Sequence, residues 1–213
     1  IDRPLRIQTR KLLGDGFAML DDTELSRLLA HADQRVRLES QFELVKRNAS
    51  NALLTVAKEN DSQLARIHAI WGIGQLGRKE QNAIIPLRPL LNDRDPEIQA
   101  QLLRVISDAY HNDFSEEASD LLSSPHPRVQ LFAGLALGKI GSAKNVPVIT
   151  DFLEANNNED VFLRHAGVVA LARAAEESPR SVLLLTRHPS ESVRLAAVVA
   201  LRRVGNSGVA MFL

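Results

Sequence analysis

The sequence predicts an all-α protein, an α-solenoid built from about six helix pairs. Only 4% of its 213 residues are aromatic, which is low for a β-sandwich or barrel, because those folds pack aromatic and β-branched side chains. Leu and Ala recur instead at intervals of three and four, and both are strong helix formers. A similar block of residues also returns about every 31 residues, a period typical of repeat architectures.

Each repeat contains one small or apolar residue at an equivalent position, which we call the anchor. The residue after the anchor is always Arg or Gln, and six such pairs in register indicate six repeats. The pairs are Val36-Arg37, Ala65-Arg66, Ile98-Gln99, Val129-Gln130, Leu163-Arg164 and Val193-Arg194. The repeats are predicted to begin near residues 33, 61, 95, 126, 160 and 190, the last being incomplete. We expect residues 33–213 to form a single solenoid domain, with residues 1–32 as a degenerate helix pair that caps it.

The first helix of each pair holds the anchor and follows polar capping residues or proline. Gly77, Gly141 and Gly205 stand where first helices should end in the left-handed conformation. Pro89 predicts a late start or a kink in its helix. Second helices are predicted over residues 51–58, 85–91, 115–122, 146–155, 179–186 and 208–213, and the N-terminal pair over 6–20 and 22–31.

The first helices are apolar nearly all round. Residues 193–201 include one charge in nine, and a helix of this kind must be covered on more than one side. Small residues such as Ala133, Gly134 and Ala197 would let neighbouring helices approach closely. Helix pairs that cover only their neighbours make an α-solenoid.

The pattern Asp-Pro-x-apolar-Arg/Gln-x-x-Ala-x-x-Ala-Leu-Gly, followed over residues 33–213, resembles HEAT repeats. The short variety called phycobilisome-lyase HEAT-like is the most similar. The resemblance implies HEAT-like helix pairs wound into a right-handed superhelix, and it implies little about function.

Residues 34–42 and 63–76 resemble a narrower group, the helical-repeat section of large exported bacterial proteins. Those proteins join a sugar-dehydrogenase-like propeller, a HEAT array and a cytochrome c-type haem domain. The resemblance implies a spacer or docking element between redox domains, and an exported or periplasmic location. We therefore interpret the chain as a piece of a longer protein; it contains no Cys-x-x-Cys-His haem motif.

Composition argues against several other classes of function. The 26 Lys and Arg residues balance the 26 Asp and Glu residues, so no overall field attracts nucleic acid or an anionic membrane. No apolar run approaches the roughly 18 residues that would span a bilayer. Without cysteine there is no thiolate nucleophile or Cys-ligated metal. Residues 72–77 superficially resemble a phosphate-binding glycine loop, but they follow no strand. We predict no catalytic residue, metal or cofactor.

Six histidines are the obvious candidates for acid–base or metal chemistry. His31, His126 and His188 stand at turns between repeats, and the last two should lie about 20 Å apart, too far to share one ion. His68 and His165 fall inside first helices, and His111 falls in a loop. We interpret the three turn histidines as solvent-exposed cap or turn residues, and His68 and His165 as residues satisfied at helix interfaces. Nothing near His111 indicates a nucleophile.

Two further features have a ligand-binding and a structural interpretation. Trp71 could stack on a base or sugar, but its register equals that of Leu135 and Val199, so we predict buried packing. The Arg series could contact phosphates, but each Arg lies near an upstream carboxylate. The upstream carboxylates are Asp33, Asp61, Asp160 and Glu191. We therefore predict that the arginines pair with carboxylates at the turns, within their own repeat or with a neighbouring repeat.

These observations favour a non-catalytic scaffold that mediates protein–protein or interdomain contacts. We expect the partner on the concave side, lined by second helices, whose exposed charges differ along the array. The candidate partner-binding residues are Lys79, Arg88, Glu116, Glu117, Asp120, Asp151 and Glu154.

Two other functions stay open. One is a bilin-lyase-like enzyme with a small-molecule site in the solenoid groove, and the other is a nucleic-acid-binding solenoid. We also expect the incomplete last repeat, residues 196–213, to expose apolar surface and to favour self-association.

Overall fold

The computed structural model describes residues 3–212 and the side chains of residues 3–209. Within this range the chain is helical and has no strand, which confirms the all-α repeat fold. The α-helices are α1 Arg3–Asp15, α2 Asp22–Leu28, α3 Gln34–Lys46, α4 Ser50–Glu59, α5 Gln63–Gly77, α6 Pro96–Asp108, α7 Ser115–Asp120, α8 Pro127–Ile140, α9 Val146–Asn156, α10 Val161–Glu177, α11 Pro179–Leu184 and α12 Glu191–Arg203. The 3-10 helices are Gln81–Asn92, Asn112–Phe114, Leu121–Ser123, Ala143–Asn145, Leu185–Arg187 and Ser207–Phe212.

Internal contacts divide the chain into two compact units, which meet in sequence between Asp93 and Arg94. The division falls beside the repeat start expected near residue 95. In unit 1, α3 and α5 are first helices; in unit 2, the first helices are α6, α8, α10 and α12. The six repeat starts, the single domain and the superhelical hand stay predictions.

The N-terminal helix pair differs from its predicted bounds. α1 covers Arg3–Asp15 rather than residues 6–20, because Gly16 has a φ of +79°, a conformation that ends a helix. α2 begins at Asp22 as predicted, with Asp21 as its cap. Asp21 and Glu24 form a capping box at this helix start.

The segment with two prolines forms a 3-10 helix, Gln81–Asn92, whereas the sequence predicted a helix over residues 85–91 with a late start or a kink at Pro89. Ile84, Leu87 and Leu90 are buried at intervals of three, which matches the three residues per turn of a 3-10 helix. Pro86 and Pro89 lie between them on the exposed side. The two prolines are three residues apart, like the buried residues, so they share the exposed side of this 3-10 helix.

The turns that precede first helices have a common construction. A polar side chain accepts a hydrogen bond from the backbone N–H two residues on: His31 Nδ1 from Asp33 at 3.0 Å, Asn60 Oδ1 from Ser62 at 2.8 Å, and His188 Nδ1 from Ser190 at 3.2 Å. Such local bonds favour a turn over a helix. They explain why His31 and His188 occur at these positions.

Two arginines of the series, Arg37 and Arg194, hold the same turns through backbone carbonyls, and for these two the predicted pairing with a carboxylate is wrong. Arg37 Nη1 donates to the carbonyl of His31 at 2.7 Å and to that of Ala32 at 3.0 Å. Arg194 Nη1 does the same to His188 at 2.8 Å and Pro189 at 2.7 Å.

Arg66 and Arg164 differ from these two arginines. Arg66 donates to the Ala57 carbonyl and pairs with Asp93 at the turn before the next repeat, which confirms a pairing between neighbouring repeats for this arginine. The Asp160 carboxylate caps α10 instead of pairing with Arg164, accepting bonds from two backbone N–H groups. The backbone N–H and C=O groups that lack a partner within a helix, at these turns and helix starts, thus bind polar side chains directly.

We expect Arg194→Ala to lower the free energy of unfolding by about 1–2 kcal/mol, because two turn carbonyls lose a charged donor. Urea unfolding of the variant would measure the change. The control is Arg202→Ala, an exposed arginine on the same helix, for which we expect a change within about 0.5 kcal/mol. Equal losses in the two variants would contradict a clamping role for Arg194.

Only one of the three predicted cap glycines has a left-handed conformation. Gly205 has a φ of +68°, whereas Gly141 is extended with φ −76° and ψ 174°. Gly77 lies inside the last turn of α5, where an added Cβ would come within 2.6 Å of Ile84 Cγ1. Gly77 therefore permits close packing of the 3-10 helix on α5.

None of the helices within residues 3–212 is long and apolar enough to cross a bilayer.

Candidate functional site

The histidines do not gather into a reactive site in the described part of the chain. No group of three or more His, Asp or Glu side chains there could hold a metal ion. His165 is exposed on α10, and His126 is exposed at the start of α8. His111 is buried, with its ring edge-on to Phe114 at 4.9 Å.

His68 is buried in a polar network that joins two repeats of unit 1. Only 2% of its surface is exposed; its Nδ1 lies 2.8 Å from Gln41 Oε1, and its Nε2 accepts from Arg37 Nε at 3.1 Å. Burial, and then the nearby Arg37 charge, lower the pKa of His68 to about 4. Because both ring nitrogens are occupied and the ring stays neutral, His68 is a structural link rather than a proton donor or acceptor.

Trp71 is half-buried, so the prediction that it is buried in the core is wrong. Its ring makes an edge contact with His68 at 5.1 Å. The positions with the same register, six residues after an anchor, are also partly exposed: Phe42 is 46% exposed and Val199 is 42% exposed. This register is therefore a surface position of the first helices.

The predicted partner-binding residues are divided between the two units, and their role stays a prediction. Lys79 lies in the turn after α5 and Arg88 in the 3-10 helix Gln81–Asn92, both in unit 1. The five carboxylates lie in unit 2. Glu116, Glu117 and Asp120 are on α7, and Asp151 and Glu154 are on α9.

The second-helix side of unit 2 carries a groove of about 630 Å³ between the Leu121–Ser123 segment and α9. Phe152 and Leu163 contribute apolar lining, and Asp151 and Glu159 contribute carboxylates. Of the predicted residues, Asp151 lines this groove. Neither α7 nor α9 contains Lys or Arg, so this side of the two helices is acidic.

The first helices form the closely spaced layer of unit 2. α6 packs on α8, α8 on α10 and α10 on α12, whereas the second helices α7, α9 and α11 make few contacts with one another. Gly134 makes one of these close approaches possible, because an added Cβ would lie 2.8 Å from Ala166 Cβ of α10. In a curved stack the closer layer lies on the inside.

A cavity supports this curvature. Arg104 lies on α6 and Arg203 lies on α12, the two ends of the row of first helices in unit 2. Both residues line one cavity of about 340 Å³. Side chains this far apart along the stack share a cavity when their surface is concave. The first helices thus line the concave side of unit 2, and the expectation that second helices line it is wrong for this unit.

The concave cavity combines apolar and basic side chains. Phe132, Leu135 and Val169 are half-buried in its wall. Lys139 bonds Asp108 at 2.9 Å and lies 5.3 Å from the centre of the Tyr110 ring. Ser107 and His165 also line this surface, and no hydrogen bond joins their side chains.

Sequence reasoning missed the concave residues because it used the anchor register only to find the core. The sixth residue after each anchor in unit 2 is Arg104, Leu135, Val169 or Val199, and the tenth is Asp108, Lys139, Arg173 or Arg203. Residues at these two positions lie about one turn apart on the same face of a helix. Listing them by register would have shown the apolar and basic surface.

A family model described as HEAT repeats matches residues 84–172 and again residues 115–202, together more than half of the chain. The chain belongs to the HEAT-repeat family. A comparison with curated protein sequences gave no match.

Solved structures similar to this HEAT-repeat chain include natural and designed helical-repeat proteins. The complex of CpcE and CpcF of phycocyanin lyase from Nostoc sp. PCC7120 has a TM-score of 0.57 and 17% identity, over 88% of this chain and 78% of that chain. A designed armadillo repeat protein in complex with the peptide (KR)4 has a TM-score of 0.53 and 18% identity, over 87% of this chain and 100% of that chain. At this level of identity the similarity shows the fold alone.

Proposed function

We propose that this HEAT-repeat chain is a non-catalytic scaffold that binds another protein or an adjacent domain on the concave side of unit 2. The observation that carries the proposal is the partly exposed apolar register across consecutive first helices, formed by Leu135, Val169 and Val199. A contiguous exposed apolar surface rimmed by polar residues is typical of an interaction site.

The kind of partner follows from the sequence resemblance. Residues 34–42 and 63–76 are similar to the repeat section of exported proteins that also contain a propeller and a haem domain. A redox domain of the same polypeptide is therefore the first partner to test, and the chain would act as a docking element in an exported protein.

The acidic second-helix side is the second candidate binding face. Asp151 and Glu154 are exposed, and the neighbouring groove has an apolar floor. A basic segment would complement it. Glu116, Glu117 and Asp120 would extend the same acidic surface, while Lys79 and Arg88 belong to unit 1.

Site-directed photocrosslinking distinguishes the two faces. We expect a benzophenone amino acid at Val199, in the full-length reading frame expressed in its own host, to form an adduct with a protein or with another domain of the same polypeptide. Excess unlabelled chain should compete when the partner is a separate protein. The matched control places the same amino acid at Glu154 on α9. Reaction at Glu154 alone would make the second-helix side the binding face.

The small-molecule alternative is tested by tetrapyrrole binding, because one of the similar structures is that of a phycocyanin lyase complex. A saturable absorbance shift on titration with a free tetrapyrrole, together with no protein adduct at either position, would contradict the scaffold proposal. The nucleic-acid alternative would require cations over one extended face. α7 and α9 carry carboxylates, and the cations of the concave cavity stand beside the apolar Phe132, Leu135 and Val169.

Self-association through residues 196–213 stays a prediction. Leu195 and Val199 are 43% and 42% exposed on α12. The side chains of residues 210–213 lie outside the described part of the structure.

A further inference from the structure

We propose that the concave cavity of unit 2 selects an acidic protein segment that also carries an apolar side chain, which packs in the cavity. This inference rests on the proposed scaffold function and adds the chemistry of the partner. It concerns the cavity formed by α6, α8, α10 and α12.

The charges of the cavity are strongly one-sided. Arg104, Lys139 and Arg203 contribute three cations, and Asp108 is the one carboxylate among its lining residues. The whole chain has a formal net charge of zero, so the cavity concentrates an excess of positive charge that the composition hides. Asp108 balances Lys139 through their 2.9 Å ion pair.

Arg104 and Arg203 are exposed on either side of the cavity. Two arginines at opposite edges suit a segment with carboxylates spaced along it, because each guanidinium can bind a carboxylate through two parallel hydrogen bonds. His165 is also exposed in the lining.

The apolar floor of the cavity favours a partner segment with an apolar side chain over a simple anion. Leu135 and Val169 come from neighbouring helices, and the Phe132 ring lies beside them with the Arg128 guanidinium 5.2 Å from its centre. Most binding free energy of protein interfaces comes from a buried anchor in such a pocket, whereas charges at the rim set partner choice and association rate.

The same floor argues against nucleic acid as the occupant. Backbone phosphates would gain nothing from Leu135 and Val169. Nucleic-acid binding surfaces are much more positively charged than protein-binding ones. An acidic segment with an apolar anchor uses both the cations and the apolar floor.

The test is a fluorescence anisotropy titration with three labelled probes of equal length. They are an amphipathic Glu/Leu peptide, its Lys/Leu counterpart and a single-stranded oligonucleotide. We expect the Glu/Leu peptide to bind best, and its affinity to fall at least about fivefold between 50 mM and 500 mM NaCl. Stronger binding of the Lys/Leu peptide or of the oligonucleotide would overturn the inference.

Variants locate the binding. The double variant Arg104→Gln/Arg203→Gln should weaken the Glu/Leu peptide about tenfold. The matched control, Arg180→Gln/Arg187→Gln, removes the same charge from exposed arginines on the second-helix side of unit 2 and should leave affinity unchanged. Equal effects in the two double variants would overturn the inference, and so would no effect in either.

The outcome separates this inference from the function on which it rests. If the Glu/Leu peptide fails to bind but the crosslinker at Val199 still captures a partner, the scaffold function stands and the acidic chemistry is wrong. If both experiments fail, the concave face is not a binding surface.

Discussion

Replacing Gly134 with leucine is expected to lower the free energy of unfolding by about 3 kcal/mol, because overpacking a close contact costs this order of energy. Gly134 is buried where α8 meets α10. An added Cβ there would lie 2.8 Å from Ala166 Cβ and 3.2 Å from the Ala166 carbonyl carbon, and that backbone atom cannot turn aside as a side chain can. Urea unfolding followed by circular dichroism would measure the loss.

The matched control is Gly14→Leu. Gly14 is also helical, but nothing lies within 4 Å of the position its Cβ would take. Leucine is a better helix former than glycine, so this variant should be neutral or gain up to about 0.8 kcal/mol. Similar losses at Gly134 and Gly14 would show that helix packing does not depend on this close approach.

Acidification is expected to weaken the fold through His68. The pKa of His68 is lowered from an unfolded value near 6.5 to about 4, so the unfolded chain binds the proton first as the pH falls. The stability contributed by the neutral ring is therefore complete above pH 6.5 and is lost between pH 6.5 and 4. Comparing pH 7 with pH 4.5, this single group should cost about 2 kcal/mol.

The variant His68→Gln separates this effect from all other titrations. Glutamine keeps an amide donor and acceptor beside Gln41 and Arg37 but has no proton to gain. Wild type should be more stable than the variant at pH 7, and the difference should shrink by about 2 kcal/mol at pH 4.5. A difference that is constant with pH would mean that His68 is not held neutral in the folded protein.

The helical architecture was predictable because it depends on local patterns. Anchors at a regular spacing, caps such as Asp33 and Ser62, and the small residues of α8 all act within one repeat or between adjacent ones. The predicted helix bounds were wrong where one local pattern was compatible with two structures. Pro89 could kink an α-helix or fit a 3-10 helix, and the buried spacing of Ile84, Leu87 and Leu90 favours the 3-10 helix.

Side-chain partners were less predictable than helices. Proximity in sequence suggested that Arg37 and Arg194 pair with carboxylates, but both reach the carbonyls of the turn before their helix. His68 finds Gln41, 27 residues earlier in the chain. Partners of this kind depend on how one repeat docks on the next.

The sequence by itself determined that this protein is an all-α chain of repeated helix pairs, because helix periodicity and capping are read within a few turns of chain. Tertiary structure alone decided which helical layer is concave in unit 2. Curvature arises from the small difference in spacing between the two helical layers, and that spacing is set by contacts such as Gly134 on Ala166. That curvature brings Arg104 and Arg203 to one cavity, although almost a hundred residues separate them in the sequence.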